Sequence, residues 1–78
     1  MKDGRTRMWE VRVEPGRTDE LLRWAAAATV GRSADIYRST DRVVVLLHGY
    51  DDAHPFPDPP PDLVARPAHA WDFERWRP

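Results

Sequence analysis

Two imidazoles and two carboxylates lie close together in the second half of the chain. His48, Asp51, Asp52 and His54 fall within seven residues and enclose Tyr50. Such side chains can bind zinc or non-haem iron. The spacing of the two histidines matches no ligand motif, so we predict no metal and no cofactor. We interpret the aspartates as a solvated turn and keep His48 as a candidate acid or base.

A second set of candidate residues alternates with small side chains near residue 70. His69, Trp71 and Phe73 fall on one face of a predicted strand. An imidazole beside aromatic rings can act as a general base in an apolar pocket, or it can stack on a flat ligand. We therefore take His69 as a candidate catalytic residue and Trp71, Phe73 and Tyr50 as candidate ligand-binding residues. Packing in a core or an interface explains the same alternation.

Charged residues alternate with apolar ones in the predicted first strand. Glu10 and Arg12 project from it opposite Trp9. They can line a polar pocket, form ion pairs across an interface or face water. We include Glu10 and Arg12 among the candidate ligand-binding residues.

Composition excludes several functional classes. The chain has 78 residues, a net charge of -1 and no cysteine. The length suits one domain, which we expect to span residues 1–78. The balanced charge gives no reason to expect nucleic acid as a partner, and the absence of cysteine excludes disulfides. No apolar run exceeds five residues, so we predict no membrane span or signal peptide and expect a cytoplasmic protein.

The first half of the chain predicts a strand followed by a helix. Residues 1–6 are polar, and we expect them to be frayed; the alternation from Met8 to Val13 then predicts a half-buried strand. Thr18 is a candidate N-cap residue, and the alanine run that begins at Ala25 favours a helix. Gly31 is the candidate C-cap.

The second half predicts three further strands and an irregular loop. Residues 34–39 and 43–48 are expected to form a hairpin, and a last strand is expected from about residue 69 to 75. Residues 51–61 contain five prolines, which exclude a helix or a ladder there. We interpret this loop as a stiff connector, with an SH3-type ligand as the alternative.

This order of elements predicts an α+β fold. It matches a ferredoxin-like split βαβ antiparallel sheet of order 4-1-3-2, with a single helix and the proline-rich loop in place of a second helix. The strand 43–47 is apolar on both faces, so it belongs in the centre of the sheet. One helix covers one face only. We predict that a second subunit covers the other, with Trp71 and Trp76 as interface candidates.

The pattern resembles the ferredoxin-like dimeric α+β barrel superfamily, which includes the antibiotic biosynthesis monooxygenase-like proteins. The resemblance rests on the order of elements, on the strand 9–13, on the helix that carries Trp24 and on the segment 68–73. It implies a homodimer with sheets packed face to face. It also implies a pocket within the barrel or between sheet and helices.

Two functions follow as hypotheses. The first is a homodimeric protein with an assembly or ligand-binding role and no catalysis. The second, which rests on the resemblance, is a cofactor-independent oxygenase- or isomerase-like enzyme that acts on an aromatic or polyketide-like molecule. In that case His69 or His48 supplies the acid or base. An enclosed cavity of at least ~300 Å³ would favour the enzyme.

Overall fold

The structure is a computed structural model that describes residues 4–78. Its elements are, in chain order, β1 (Arg5–Arg12), α1 (Thr18–Ala28), β2 (Ala34–Arg38), β3 (Arg42–His48), a short 3₁₀ turn (Pro61–Leu63) and β4 (His69–Glu74). The four strands form one sheet in the order β2-β3-β1-β4, and every neighbouring pair is antiparallel. This is the predicted order 4-1-3-2, counted from the opposite edge. The α+β prediction is confirmed, and the architecture is consistent with a ferredoxin-like fold.

Strand β1 begins earlier than its hydrophobic pattern suggests. Arg5 and Thr6, which we expected to be frayed, belong to the strand, and Thr6 lies opposite both His48 and Phe73. Because β1 has a neighbour on each side, backbone hydrogen bonds from two ladders hold these polar residues in place. The remainder of the predicted frayed segment, residues 1–3, lies outside the described part of the chain.

Helix α1 begins at Thr18 as predicted, but its N-cap differs. Arg17 occupies the cap position, and neither it nor another side chain makes a capping hydrogen bond. The Arg17 guanidinium instead donates two hydrogen bonds, of 2.6 and 2.9 Å, to the Glu20 carboxylate. At the other end Thr29, not Gly31, is the C-cap; Gly31 follows with φ of +79°, where the chain reverses.

The core lies between α1 and one face of the sheet. Leu21 and Ala25 of the helix are completely buried, and the small alanine side chain lets the helix lie close to the strands. Trp9, Val11 and Val13 on one strand face meet them, as do alternate residues of β3. The predicted alternation of β1 and the predicted central position of β3 are therefore confirmed.

The proline-rich segment covers the part of this face that α1 leaves open. Phe56 packs against Trp9 and Trp24, with ring centroids 5.2 and 5.6 Å apart. The two tryptophan rings lie 5.8 Å apart and complete this aromatic cluster. Leu63 is also buried, at 6% exposure. The proline-rich segment and the 3₁₀ turn that adjoins it thus supply core side chains without forming a second α-helix.

Candidate functional site

The face of the sheet turned away from α1, here called the open face, carries alternate residues of all four strands. Its residues are Thr6, Met8, Glu10 and Arg12 of β1, Asp35 and Tyr37 of β2, Arg42, Val44, Leu46 and His48 of β3, and His69, Trp71 and Phe73 of β4. No helix or strand among residues 4–78 packs on this face. The helix and strands of residues 4–78 therefore leave this face without a partner.

The middle of the open face is apolar. Met8, Val44 and Leu46 lie side by side on the two central strands and are half-buried. Aromatic side chains flank them on the outer strands: Tyr37 is 55% exposed on β2, and Trp71 is 44% exposed on β4. An exposed patch of this composition is typical of a binding surface.

The residues predicted near position 70 lie together on this face. Phe73 is 53% exposed, and the rings of His69 and Trp71 are stacked, with centroids 6.0 Å apart and planes inclined by 20°. The prediction that the three side chains share one face is confirmed. All of β4 is classed as exposed, and about half of the surface of Trp71 and of Phe73 stays accessible. Trp76, the other interface candidate, follows β4 and is 80% exposed.

One end of the open face gathers the predicted polar residues. Glu10, Arg12 and His69 line a small pocket of about 60 Å³. Arg42 lies opposite Arg12 in the register, and its guanidinium donates to a Glu10 carboxylate oxygen at 3.0 Å. Arg42 is not among the predicted site residues, because the predicted strand begins at residue 43 and the sequence pattern does not fix the register between β3 and β1.

The opposite end of the open face holds a hydrogen-bonded histidine. His48 Nε2 lies 2.9 Å from a carboxylate oxygen of Asp35, and its Nδ1 lies 3.5 Å from the Thr6 hydroxyl. These residues come from three different strands. A carboxylate that orients an imidazole is an arrangement suited to acid–base chemistry. His48, Thr6 and Phe73 line a surface depression of about 400 Å³.

The other residues of the acidic and histidine-rich segment take separate partners. Asp51 lies 3.2 Å from His54, and Asp52 forms an ion pair with Arg5. The backbone N–H of Ala53, followed by His54, lowers the pKa of Asp51. Across residues 4–78, no three His, Asp or Glu side chains come together as a possible metal site.

Tyr50 lies on the helix side of the sheet, away from the other candidate ligand-binding residues. Its ring lies against the guanidinium of Arg7, 4.0 Å from the ring centroid, and its hydroxyl accepts a hydrogen bond from the Phe56 N–H. The Arg7 guanidinium also donates two hydrogen bonds, of 2.6 and 2.9 Å, to the Asp72 carboxylate on β4. Tyr50 thus joins the proline-rich segment to the sheet, and the sheet separates it from Trp71.

The comparisons with known proteins give no relative. No family model matches the chain, and neither the search of curated proteins nor the search of solved structures finds a match. Residues 4–78 contain no helix with the length and apolarity needed to cross a membrane.

The Arg7–Asp72 pair predicts an acid-dependent loss of stability. The hydrogen bonds from Arg7 hold the pKa of Asp72 below its usual value. This contribution is present above the unfolded pKa of about 3.9 and is lost as the pH falls through the lower folded pKa. Asp72→Asn should therefore lower the free energy of unfolding at pH 7, and its difference from the wild type should shrink below about pH 4.

Urea unfolding at several pH values measures this effect. Asp58→Asn is the matched control, because Asp58 is exposed in the proline-rich segment and has no ion pair among residues 4–78. An equal loss at pH 7 in both variants would contradict a specific role for Asp72.

Proposed function

We propose that this protein is an assembly module that forms a homodimer, with the open face of one copy packed on the open face of the other. The observation that carries the proposal is the clustering of Tyr37, Trp71 and Phe73 on this one face, each 44–55% exposed. Monomeric proteins rarely leave such a patch in water.

The composition of the face fits a protein partner. Met8, Val44 and Leu46 form an apolar centre, and the charged and polar groups lie toward its ends. Protein interfaces have this arrangement of apolar centre and polar rim, and aromatic side chains often supply most of their binding energy.

The charges favour a second copy as that partner. The open face carries carboxylates at Glu10 and Asp35 and guanidiniums at Arg12 and Arg42. In a two-fold dimer the same patch meets itself, so a face of a single sign would repel its copy. A face that holds both signs avoids this repulsion. The resemblance to the dimeric α+β barrel proteins adds an expectation of the same face-to-face arrangement.

Substitution of Leu46 tests the homodimer. Leu46→Lys places a charge in the apolar centre, while in the free protomer the long side chain can still reach solvent. Burying one leucine contributes about 1.5–3 kcal/mol, and a two-fold axis repeats the change. We therefore expect the dissociation constant to rise about 100-fold or more. Sedimentation equilibrium measures it, and circular dichroism confirms that the fold is retained.

Val30→Lys is the matched control. Val30 is 80% exposed just after α1 and lies outside the open face, so the same substitution there should leave the dissociation constant unchanged. A wild-type protein that sediments as a folded monomer throughout the micromolar range would refute the dimer. Equal weakening by both substitutions would refute the assigned face.

A second candidate function is supported by the geometry at His48. The imidazole is hydrogen-bonded to Asp35 and lies beside the exposed ring of Phe73 in the 400 Å³ depression. This arrangement supports the oxygenase- or isomerase-like alternative, in which His48 or His69 is the acid or base. It equally supports binding of a small aromatic ligand on the open face.

The change in melting temperature on adding a flat aromatic acid distinguishes an assembly role from this alternative. If the role is assembly, a naphthalene carboxylate should give no saturable rise in the melting temperature, because the rings of the open face are already occupied by the second copy. A saturable rise that is lost in His48→Gln and retained in His54→Gln would favour the ligand-binding or enzymatic function. His54 is a suitable control because it is exposed and lies outside the open face.

A further inference from the structure

The pocket at one end of the open face is lined by three arginines from separate parts of the chain. Arg12 ends β1, Arg42 begins β3, and Arg66 lies in the connection before β4. We call these three residues the arginine corner. They line the pocket with Glu10, Pro67 and His69.

The backbone explains why the three arginines meet. Arg12 and Arg42 are opposite each other in the antiparallel ladder between β1 and β3. On the other side of β1, the Ala65 N–H donates to the Arg12 carbonyl at 2.9 Å, and Val64 forms a bridge with Val13. These two contacts fix the connection against the end of β1 and thereby place Arg66 beside the pocket.

Most N–H donors of the arginine corner have no hydrogen-bond acceptor among residues 4–78. Elsewhere in the protein, Arg7 and Arg17 each bind a carboxylate through two short hydrogen bonds. Arg12, by contrast, approaches its nearest carboxylate, on Asp41, only to 3.8 Å, which is beyond hydrogen-bond distance.

The other two arginines are also incompletely paired. Arg42 makes a single hydrogen bond, to Glu10, and lies 3.7 Å from Asp41. Arg66 has no hydrogen bond or ion pair with any residue between 4 and 78. A guanidinium carries five N–H donors, so most donors of the arginine corner are available to a ligand.

The size of the pocket limits what it can hold. Its volume of about 60 Å³ is well below the roughly 300–1,000 Å³ of clefts that hold drug-sized ligands. A group of one central atom with three or four oxygens suits this space, whereas a flat aromatic molecule does not. Planar guanidiniums match the oxygens of such a group in both geometry and charge. The Glu10 carboxylate is already engaged by Arg42, and His69 can add a further donor.

We propose that the arginine corner binds a small oxyanion, of which the phosphate group is the best match in size and charge. This site is distinct from the apolar centre through which two copies are proposed to pack. All of its lining residues belong to one chain, so a single copy is sufficient to form it.

Titration with inorganic phosphate tests the proposal. Phosphate should raise the melting temperature saturably, whereas sodium chloride at matched ionic strength should not. In nitrogen-labelled protein, the side-chain N–H signals of Arg12, Arg42 and Arg66 should shift with the same affinity. Arg66→Gln should weaken binding at least tenfold, because it removes charge-assisted hydrogen bonds while leaving an exposed side chain.

The controls separate a site from a general effect of charge. Arg23→Gln removes an equal charge from an exposed position on α1 and should leave phosphate affinity unchanged. Equal weakening in Arg23→Gln and Arg66→Gln would overturn the proposal, as would the absence of saturable binding to the wild type. The phosphate titration is repeated with Leu46→Lys. Phosphate binding retained in this variant supports a site that is complete within one chain, whereas binding that the wild type shows and Leu46→Lys lacks overturns the claim that one chain is sufficient. A wild-type protein that is monomeric yet binds phosphate would refute the homodimer and leave the oxyanion site intact.

Discussion

A β-sheet has two faces, and residues 4–78 of this protein provide one α-helix to cover them. Strand β3 needs cover on both faces, because it lies inside the sheet and is apolar on both sides. Val43, Val45 and Leu47 face α1 and are buried, whereas Val44 and Leu46 face the other way and are only half-buried. Apolar side chains are therefore removed from water on one side of the strand and remain partly exposed on the other. The proposed dimer would bury them on both sides.

The helix side is completed by an irregular segment. Phe56 fills the space beside Trp9 and Trp24, and Arg7 ties Tyr50 to the sheet while it binds Asp72 of β4. A loop rich in proline can fill this role because its backbone loses less entropy on folding than a flexible chain would. The pair with Asp72 also holds the edge strand β4 in place. That strand carries the exposed rings of the open face, so contacts on one side of the sheet support the surface on the other.

The sequence predicted those features that local alternation determines. The burial of Trp9, Val11 and Val13 follows from the two-residue period, and the central position of β3 follows from its two apolar faces. The early start of β1 was not predicted, because Arg5 and Thr6 are held by backbone bonds to two neighbouring strands and not by an apolar pattern. The prediction of Thr18 as the N-cap residue was wrong for a similar reason. The Arg17 side chain, at the cap position, is held by hydrogen bonds to Glu20 and to Asp62, which is distant in sequence. The position of Tyr50 depends on the course of the proline-rich segment, whose Phe56 N–H donates to its hydroxyl. The position of Arg66 beside Arg12 and Arg42 depends on how the connection before β4 is held against the end of β1, and no local pattern encodes either path.

The most direct test of the central claim is a dilution series of the methyl-labelled protein followed by nuclear magnetic resonance. If two open faces meet, the methyl signals of Met8, Val44 and Leu46 should shift as the protein is diluted through the micromolar range. Those of Val43, Val45 and Leu47, which point at α1 from the same strand, should remain in place. Signals that stay constant on both sides of β3, at a molecular mass of one chain, would contradict the account.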